Sequence, residues 1–234
     1  MYQRICVLML AILPIFVQAQ TQQVDSLLKS LETEKADSNR MKAFRKIGDY
    51  YTDANPGKAI EYYEKSLEIA KQIDRKLLVA NNYYSIGFCY LTKGDYDKSL
   101  ENYLLSVRVY EDMKDTFRLS NALMSIGNVY VQINNTKKTE EYYNRAQSLI
   151  EAIKDSGQLG SIFMERGVQN DQLGKYDTAH YFHNKALAIG RALHDDYFIS
   201  NALCNIGLTY KHQKKHTEAL AAFDSALKIF GRLD

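Results

Sequence analysis

Apolar residues recur along this chain at helical spacing, and the whole pattern returns with a nearly constant pitch. Within residues 80–99, Tyr83, Ile86 and Tyr90 fall at i, i+3 and i+7, and Gly87 directly follows the isoleucine. This spacing is typical of one face of an amphipathic α-helix. The glycine of the pattern comes back every 39 or 40 residues, at Gly48, Gly87, Gly127, Gly167 and Gly207. A fixed pitch of this size predicts a solenoid built from one repeated unit.

Each repeat contains two helical patterns joined by a short polar turn. The first patterns span about 41–53, 75–93, 116–132, 158–173 and 196–213, and the second about 57–73, 96–113, 137–153, 176–193 and 217–230. Several turns contain Gly or Asn, which tolerate the left-handed backbone that ends a helix. Another amphipathic pattern over 22–34 precedes the repeats and is placed to cover the first of them. The sequence therefore predicts an all-α fold of about 11 helices in antiparallel pairs.

The second helices have a pattern that complements the glycine. In the first repeat it reads Ala59, then Tyr63, then Ser66, and the other repeats place small residues at corresponding positions. The ring positions are Tyr63, Tyr103, Tyr143, His183 and Phe223. A ring on one helix opposite a glycine on the other predicts close packing within each pair.

This combination of a bulky residue, Ile-Gly, Tyr, a polar turn and small–aromatic–small resembles the tetratricopeptide repeat. The common form of that repeat has 34 residues, so the chain resembles a longer, 40-residue subclass. The resemblance implies a right-handed superhelical solenoid with a leading helix in 20–40 and repeats over 41–79, 80–119, 120–159, 160–199 and 200–234. Repeat four departs from the pattern, because Arg166 and Asn170 replace the Ile and the Tyr, and this departure concerns its packing.

Residues 1–19 form a separate segment. Arg4 precedes an apolar run over 5–17, and Val17-Gln18-Ala19 provides small residues before a cleavage point. This order is typical of a secretory signal peptide, and the run is shorter than the ~20 residues that span a bilayer. We expect cleavage after Ala19, a periplasmic or secreted mature chain, and no membrane insertion after cleavage.

Composition and motifs remove several classes of function. The net charge is only +2 and the two signs alternate along the chain, so we expect no nucleic-acid partner. No glycine-rich phosphate loop follows a strand pattern. The pairs His180/His183 and His212/His216 lack a third ligand, so we expect no metal and no cofactor. Cys204 and His212 lie two helical turns apart, too far for a hydrogen bond, and we expect no enzyme activity.

In proteins of the family that the chain resembles, the groove is lined by residues three before and one, four and five after the glycine. Asn residues six before the glycine recur at one edge of the same face, and they bind either the backbone of a peptide or the neighbouring helix. The candidate groove residues are Asn81, Tyr84, Phe88, Leu91, Asn121, Met124, Asn128, Met164, Val168, Asn201, Leu208 and His212.

The expected function is an exported scaffold that binds a protein or peptide. Exported 40-residue arrays that begin with a helix like DSLLKSLE also resemble the periplasmic sensor regions of Bacteroidetes-type histidine kinases. No polar capping helix follows the fifth repeat, so we expect the sensor part of a longer protein, with a membrane-anchored signalling region of the same chain as a partner. The alternatives are a free-standing periplasmic adaptor for envelope complexes and, more distantly, a secreted enzyme.

Overall fold

The computed structural model describes residue 22 and residues 24–231, and the regular elements among them are α-helices. Helix α1 covers 24–33. It is followed by α2 Asp37–Tyr51, α3 Pro56–Gln72, α4 Lys76–Thr92, α5 Tyr96–Met113, α6 Thr116–Gln132, α7 Thr136–Ile153, α8 Ser156–Gln172, α9 Tyr176–Leu193, α10 Asp196–His212 and α11 His216–Phe230. The predicted all-α fold is confirmed. The predicted signal peptide lies outside the described residues.

The helices belong to two compact units, Met1–Lys114 and Asp115–Asp234. In the first unit α2 pairs with α3 and α4 with α5, and α4 also packs against α3. In the second unit the pairs are α6 with α7, α8 with α9 and α10 with α11, while α8 also packs against α7 and α10 against α9. Within a unit, a first helix thus contacts the second helix of its own repeat and that of the repeat before it.

Local sequence explains where the helices begin and end. In six of the described helices an Asn or Asp at the N-cap accepts a hydrogen bond from a backbone N–H three residues later: Asn55, Asp95, Asp115, Asn135, Asp155 and Asp195. Such caps satisfy N–H groups that have no partner inside the helix. Each break after α3 contains one residue with left-handed backbone, with φ between 50° and 76°: Asp74, Gly94, Lys114, Asn134, Lys154, Gly174, His194 and Lys214.

The first helix of repeat one begins earlier than predicted. The apolar pattern predicts a start near residue 41, but α2 starts at Asp37, and Ala36 is its extended N-cap. Asp37 is the acidic residue of the first turn, where a negative charge is favourable, and its carboxylate lies 3.2 Å from Arg40 Nη1. These polar residues therefore form the first helical turn.

The repeated glycine brings each helix pair close together, as predicted. A Cβ atom on Gly87 would lie 2.9 Å from Cδ1 of the Tyr103 ring, which is closer than carbon atoms pack. The corresponding glycines face Tyr63, Tyr143, His183 and Phe223 in the same way. The ring that fills this space is buried in repeats one to four.

Candidate functional site

Within each unit the first helices lie side by side and are linked by polar side chains. Arg45 Nη1 on α2 donates to Asn82 Oδ1 on α4 over 3.0 Å. Asn128 Nδ2 on α6 donates to Glu165 Oε1 on α8, also over 3.0 Å. We define the inner wall of unit 1 as the positions three before and one, four and five after the glycine on α2 and α4. The inner wall of unit 2 is the same set on α6, α8 and α10.

In the inner wall of unit 1, the buried ring of repeat one holds a carboxylate in place. Tyr63 Oη donates to Asp49 Oδ1 over 2.7 Å, and Thr52 Oγ1 lies 2.8 Å from the same phenol oxygen. Burial raises the pKa of Tyr63 above its ordinary value, so the hydroxyl keeps its proton and remains a donor. Arg45 Nη2 lies 3.9 Å from Asp49 Oδ1. This end of the wall is polar and preorganised.

The candidate residues on α4 differ in what they offer a ligand. Phe88 is exposed, whereas Tyr84 and Leu91 are half-buried. Asn81 Oδ1 accepts a hydrogen bond from Tyr110 Oη on α5 over 2.7 Å. Of the two interpretations of this asparagine, the structure shows the bond to a neighbouring helix. The apolar surface of this wall is therefore centred on Phe88.

The inner wall of unit 2 has the same arrangement of bonded polar groups and accessible apolar groups. Asn121 Oδ1 accepts from Gln158 Nε2 on α8 over 2.5 Å, and Asn128 Oδ1 accepts from Tyr143 Oη. These amides link helices. Among the remaining candidates Met124 is buried, Met164, Val168 and Asn201 are half-buried, and Leu208 is exposed.

The last candidate, His212, is paired with a carboxylate one repeat earlier. His212 Nδ1 on α10 lies 2.7 Å from Asp171 Oδ2 on α8. The Asp171 side chain is 10% exposed and that of His212 is 50% exposed. Because a carboxylate oxygen can only accept, Nδ1 carries the proton of this hydrogen bond. The pair therefore fixes the orientation of a half-exposed imidazole on the inner wall.

Two more histidines lie behind this pair on α9. His183 occupies the ring position of repeat four, is 1% exposed, and has its pKa lowered to about 4 by burial. It is therefore neutral near pH 7. His180 lies against the Tyr210 ring, with ring centroids 4.2 Å apart, and its Nε2 is 3.2 Å from Gln213 Oε1. Both histidines are part of the helix packing.

Other chemistries find little support in the described part of the chain. Residues 22 and 24–231 contain no group of three His, Cys, Asp or Glu residues placed to hold a metal ion. Cys89 and Cys204 are free thiols, and burial raises the pKa of Cys89 to about 11, which keeps it unreactive. None of the described helices is long and apolar enough to cross a bilayer.

Sequence reasoning did not predict the lateral hydrogen bonds. Glu165, two residues before the glycine of its repeat, was not a candidate, although it bonds to Asn128. Asp171 was expected to face the groove, but not to pair with His212. Both bonds join residues 37 to 41 positions apart, close to one repeat. A comparison of complementary residue types at this separation could have indicated the pairs.

Comparisons with known proteins agree with the architecture. A family model of the tetratricopeptide repeat matches residues 40–112 and 166–232, and a second model of the same repeat matches 120–153. The comparison with curated proteins gave no match.

Three solved structures illustrate the structural similarity. BtubC (BKLC) from P. vanneervenii has a TM-score of 0.72 at 20% identity over 92% of both chains. A Rap protein complexed with Competence and Sporulation Factor has a TM-score of 0.71 at 16% identity, over 88% of this chain and 57% of that one. A signal transduction ATPase (STAND) with a tetratricopeptide repeat sensor from Pyrococcus horikoshii has a TM-score of 0.67 at 17% identity, over 92% and 38%. At these identities the similarity concerns the fold.

Proposed function

The chain belongs to the tetratricopeptide repeat family, and on this basis we propose that it binds a peptide or an extended protein segment along its inner walls. The observation that supports this most directly is the exposure of Phe88 and Leu208, each one residue after the repeat glycine. Apolar side chains that stay exposed beside a bonded polar frame are typical of peptide-binding surfaces. The ordered side chains around them reduce the entropy lost on binding.

We further propose that this binding serves sensing in the cell envelope. One structurally similar protein is a Rap protein in complex with Competence and Sporulation Factor, and another contains a tetratricopeptide repeat sensor. This chain spans 57% and 38% of those two proteins. Both are thus longer than the part that resembles this chain, and we propose that a signalling region likewise accompanies these repeats. The signal-peptide pattern over 1–19 supports export. In this proposal a bound peptide changes the packing between repeats, and a downstream region responds.

Selection from a phage-displayed random peptide library tests the binding function. Synthetic versions of the selected peptides should bind the wild-type chain, and Phe88→Asp or Leu208→Asp should weaken binding by about tenfold or more for peptides using that wall. Leu104→Asp on α5 and Leu193→Asp on α9 are matched controls, because these leucines are similarly exposed but lie on second helices. Equal losses in the controls, or a library that yields no binder, would reject the proposal.

Export is tested separately. Cell fractionation followed by mass measurement of the intact chain should find it in the envelope or medium, with Gln20 as its first residue. A chain that keeps residues 1–19 and stays in the cytoplasm would rule out the envelope role. It would leave peptide binding itself untouched.

A further inference from the structure

Repeat four contains a group of buried polar atoms that have no partner. Among the described residues, the buried side-chain nitrogen and oxygen atoms without a hydrogen bond are Arg166 Nε, Gln169 Oε1, Asp171 Oδ1, His180 Nδ1 and His183 Nδ1. All five lie between residues 166 and 183. Buried polar atoms are nearly always bonded, so each exception needs a physical explanation. The one of these residues that reaches the inner wall is Asp171.

Asp171 holds His212 in an orientation suited to a ligand. One carboxylate oxygen of Asp171 bonds to His212 Nδ1 over 2.7 Å, and the other oxygen is buried without a partner. The bond fixes the ring, and Nε2 is the ring nitrogen that remains for a ligand. An imidazolium donates through this nitrogen with charge assistance, and a carboxylate is the partner that suits such a donor.

The surroundings of His212 are positively charged. Residues 211–216 read Lys-His-Gln-Lys-Lys-His, with three lysines, two histidines and no acid. Lys211, Lys214 and Lys215 are exposed, and so is Lys175 at the start of α9. The corresponding stretch of repeat three, at the other end of the same unit, reads Val131-Gln132-Ile133-Asn134-Asn135-Thr136 and contains no charged residue. Repeat five is therefore the basic end of this unit's wall.

An apolar surface lies beside these charges. Leu208 is one turn before His212 on α10 and is exposed, and Val168 is the corresponding half-buried residue on α8. Residues four apart on a helix share a face, so Leu208 and His212 face the same ligand. An apolar group next to a basic group favours a peptide in which an apolar side chain lies close to an acidic one.

We propose that the α8–α10 part of the inner wall of unit 2 binds an acidic peptide segment, with an Asp or Glu side chain on His212 and Lys211 and an apolar side chain on Leu208 and Val168. Asp171 is the positioning residue of this site. The inference rests on the proposed peptide-binding function and specifies the chemistry of the partner. The charged and titratable groups around His212 are Asp171 on α8, His180 on α9, Lys211 on α10, and Lys214 and Lys215 in the following turn.

Three matched sets of fluorescein-labelled peptides test the proposal by fluorescence anisotropy on the full chain. All sets share leucine at fixed positions, and their neighbouring positions are Asp/Glu, Asn/Gln or Lys/Arg. The acidic set should bind at least about tenfold more tightly than the neutral set, as one charge-assisted hydrogen bond allows.

Variants separate recognition from packing. His212→Gln should lose the acidic preference, whereas His212→Lys should keep it. Asp171→Asn should reduce the preference for the acidic over the neutral set, a ratio that a change in packing alone would not alter. His194→Gln and Lys228→Gln are the controls, since both residues are exposed in the same unit outside this patch, and they should behave as wild type. Circular dichroism verifies that each variant is folded.

Each outcome decides the matter. Stronger binding of the neutral or basic set would overturn this inference and leave the proposed function in place. Preferential binding of a single-stranded oligonucleotide competitor over the acidic set would do the same. Unchanged acidic preference in His212→Gln would also overturn it. Binding of none of the three sets would count against this inference, while an unproductive phage library would count against the proposed function.

Discussion

At the scale of single residues, the repeat glycine determines how closely two helices approach. Gly87 lies on α4 opposite the Tyr103 ring, which is 1% exposed and has three carbon atoms within 3.1 Å of the place that a Cβ would occupy. Glycine in a helix costs roughly 1 kcal/mol relative to alanine. The chain carries this cost once per repeat, because a methyl group at the same place would separate the pair.

Substitution of this glycine should be destabilising. Gly87→Ala places a Cβ 2.9 Å from the Tyr103 ring, and we expect the free energy of unfolding to fall by about 1–3 kcal/mol. Gly57→Ala is the matched control in the same unit, since its Cβ would meet atoms only at 3.5 Å or more, and it should be neutral or stabilising by up to about 1 kcal/mol. Urea denaturation measures both. Similar effects of the two substitutions would contradict this account of the glycine.

His183 is the exception among the buried rings, and it makes stability depend on pH. Burial lowers its pKa to about 4, whereas an unfolded histidine titrates near 6.5. Between these values the unfolded chain binds more protons than the folded one, so the free energy of unfolding falls as the pH drops from about 6.5 to about 4. The two pKa values correspond to a loss of up to about 3 kcal/mol.

His183→Phe isolates this contribution, because Phe223 already occupies the same position in repeat five. Urea denaturation at several pH values should show a shallower decline for the variant than for the wild type. The exposed His194 provides the control, and His194→Phe should keep the wild-type slope. Parallel pH profiles for wild type and His183→Phe would show that His183 is not the titrating group.

At the scale of helices, Arg166 changes how α8 is joined to α7. In place of the usual isoleucine, its guanidinium donates to Asn144 Oδ1 over 2.9 Å and to Gln147 Oε1 over 2.7 Å, both on α7. It also donates to Glu140 Oε2 over 2.5 Å. The guanidinium lies 4.4 Å above the Phe182 ring centroid on α9. One side chain therefore joins α8 to α7 through hydrogen bonds and to α9 through a cation–π contact.

The two ends of this network should contribute unequally. Arg166→Ala should lower the free energy of unfolding by about 2–4 kcal/mol, because it leaves three acceptors without their donor and opens space against Phe182. Glu140→Gln should cost less than about 1 kcal/mol, since the Glu140 side chain is 40% exposed and solvent screens its charge. Urea denaturation in low and high salt measures both. A larger loss of unfolding free energy for Glu140→Gln than for Arg166→Ala would mean that the ion pair contributes most of the stability of the contact between α7 and α8.

At the scale of the whole molecule, the repeat could be predicted from its pitch, whereas the bonds between neighbouring repeats did not follow from that pitch. The pitch of the glycines and the small–ring–small pattern were sufficient for the helix pairs, because these features depend on local spacing. The hydrogen-bond partners of Asn128, Arg166 and His212 depend on the position of one helix along its neighbour. The direction and length of each side chain between two helices do not follow from the periodicity of the sequence. The starting point of α2 was missed because Asp37 suits a first turn as well as a cap.

A solenoid also makes the effect of a substitution depend on the neighbouring repeat. Leu187 on α9 and Leu227 on α11 occupy the same repeat position, 40 residues apart. Leu187 is 6% exposed and packs with Ile199, Ala202 and Ile206 of α10. Leu227 is 70% exposed. The same residue type in the same register thus meets an apolar neighbour in one repeat and solvent in the other.

We expect Leu187→Ala to lower the free energy of unfolding by about 2–5 kcal/mol, because it removes buried methyl groups and leaves a cavity against α10. Leu227→Ala should change it by less than about 0.5 kcal/mol, because the exposed side chain loses little contact. Urea denaturation of the two variants measures the difference, and hydrogen exchange should show α11 opening more readily than α9. Equal losses would mean that Leu227 is covered in solution by another segment or chain, and a Leu227→Ala loss that grows with protein concentration would identify that cover as a second copy.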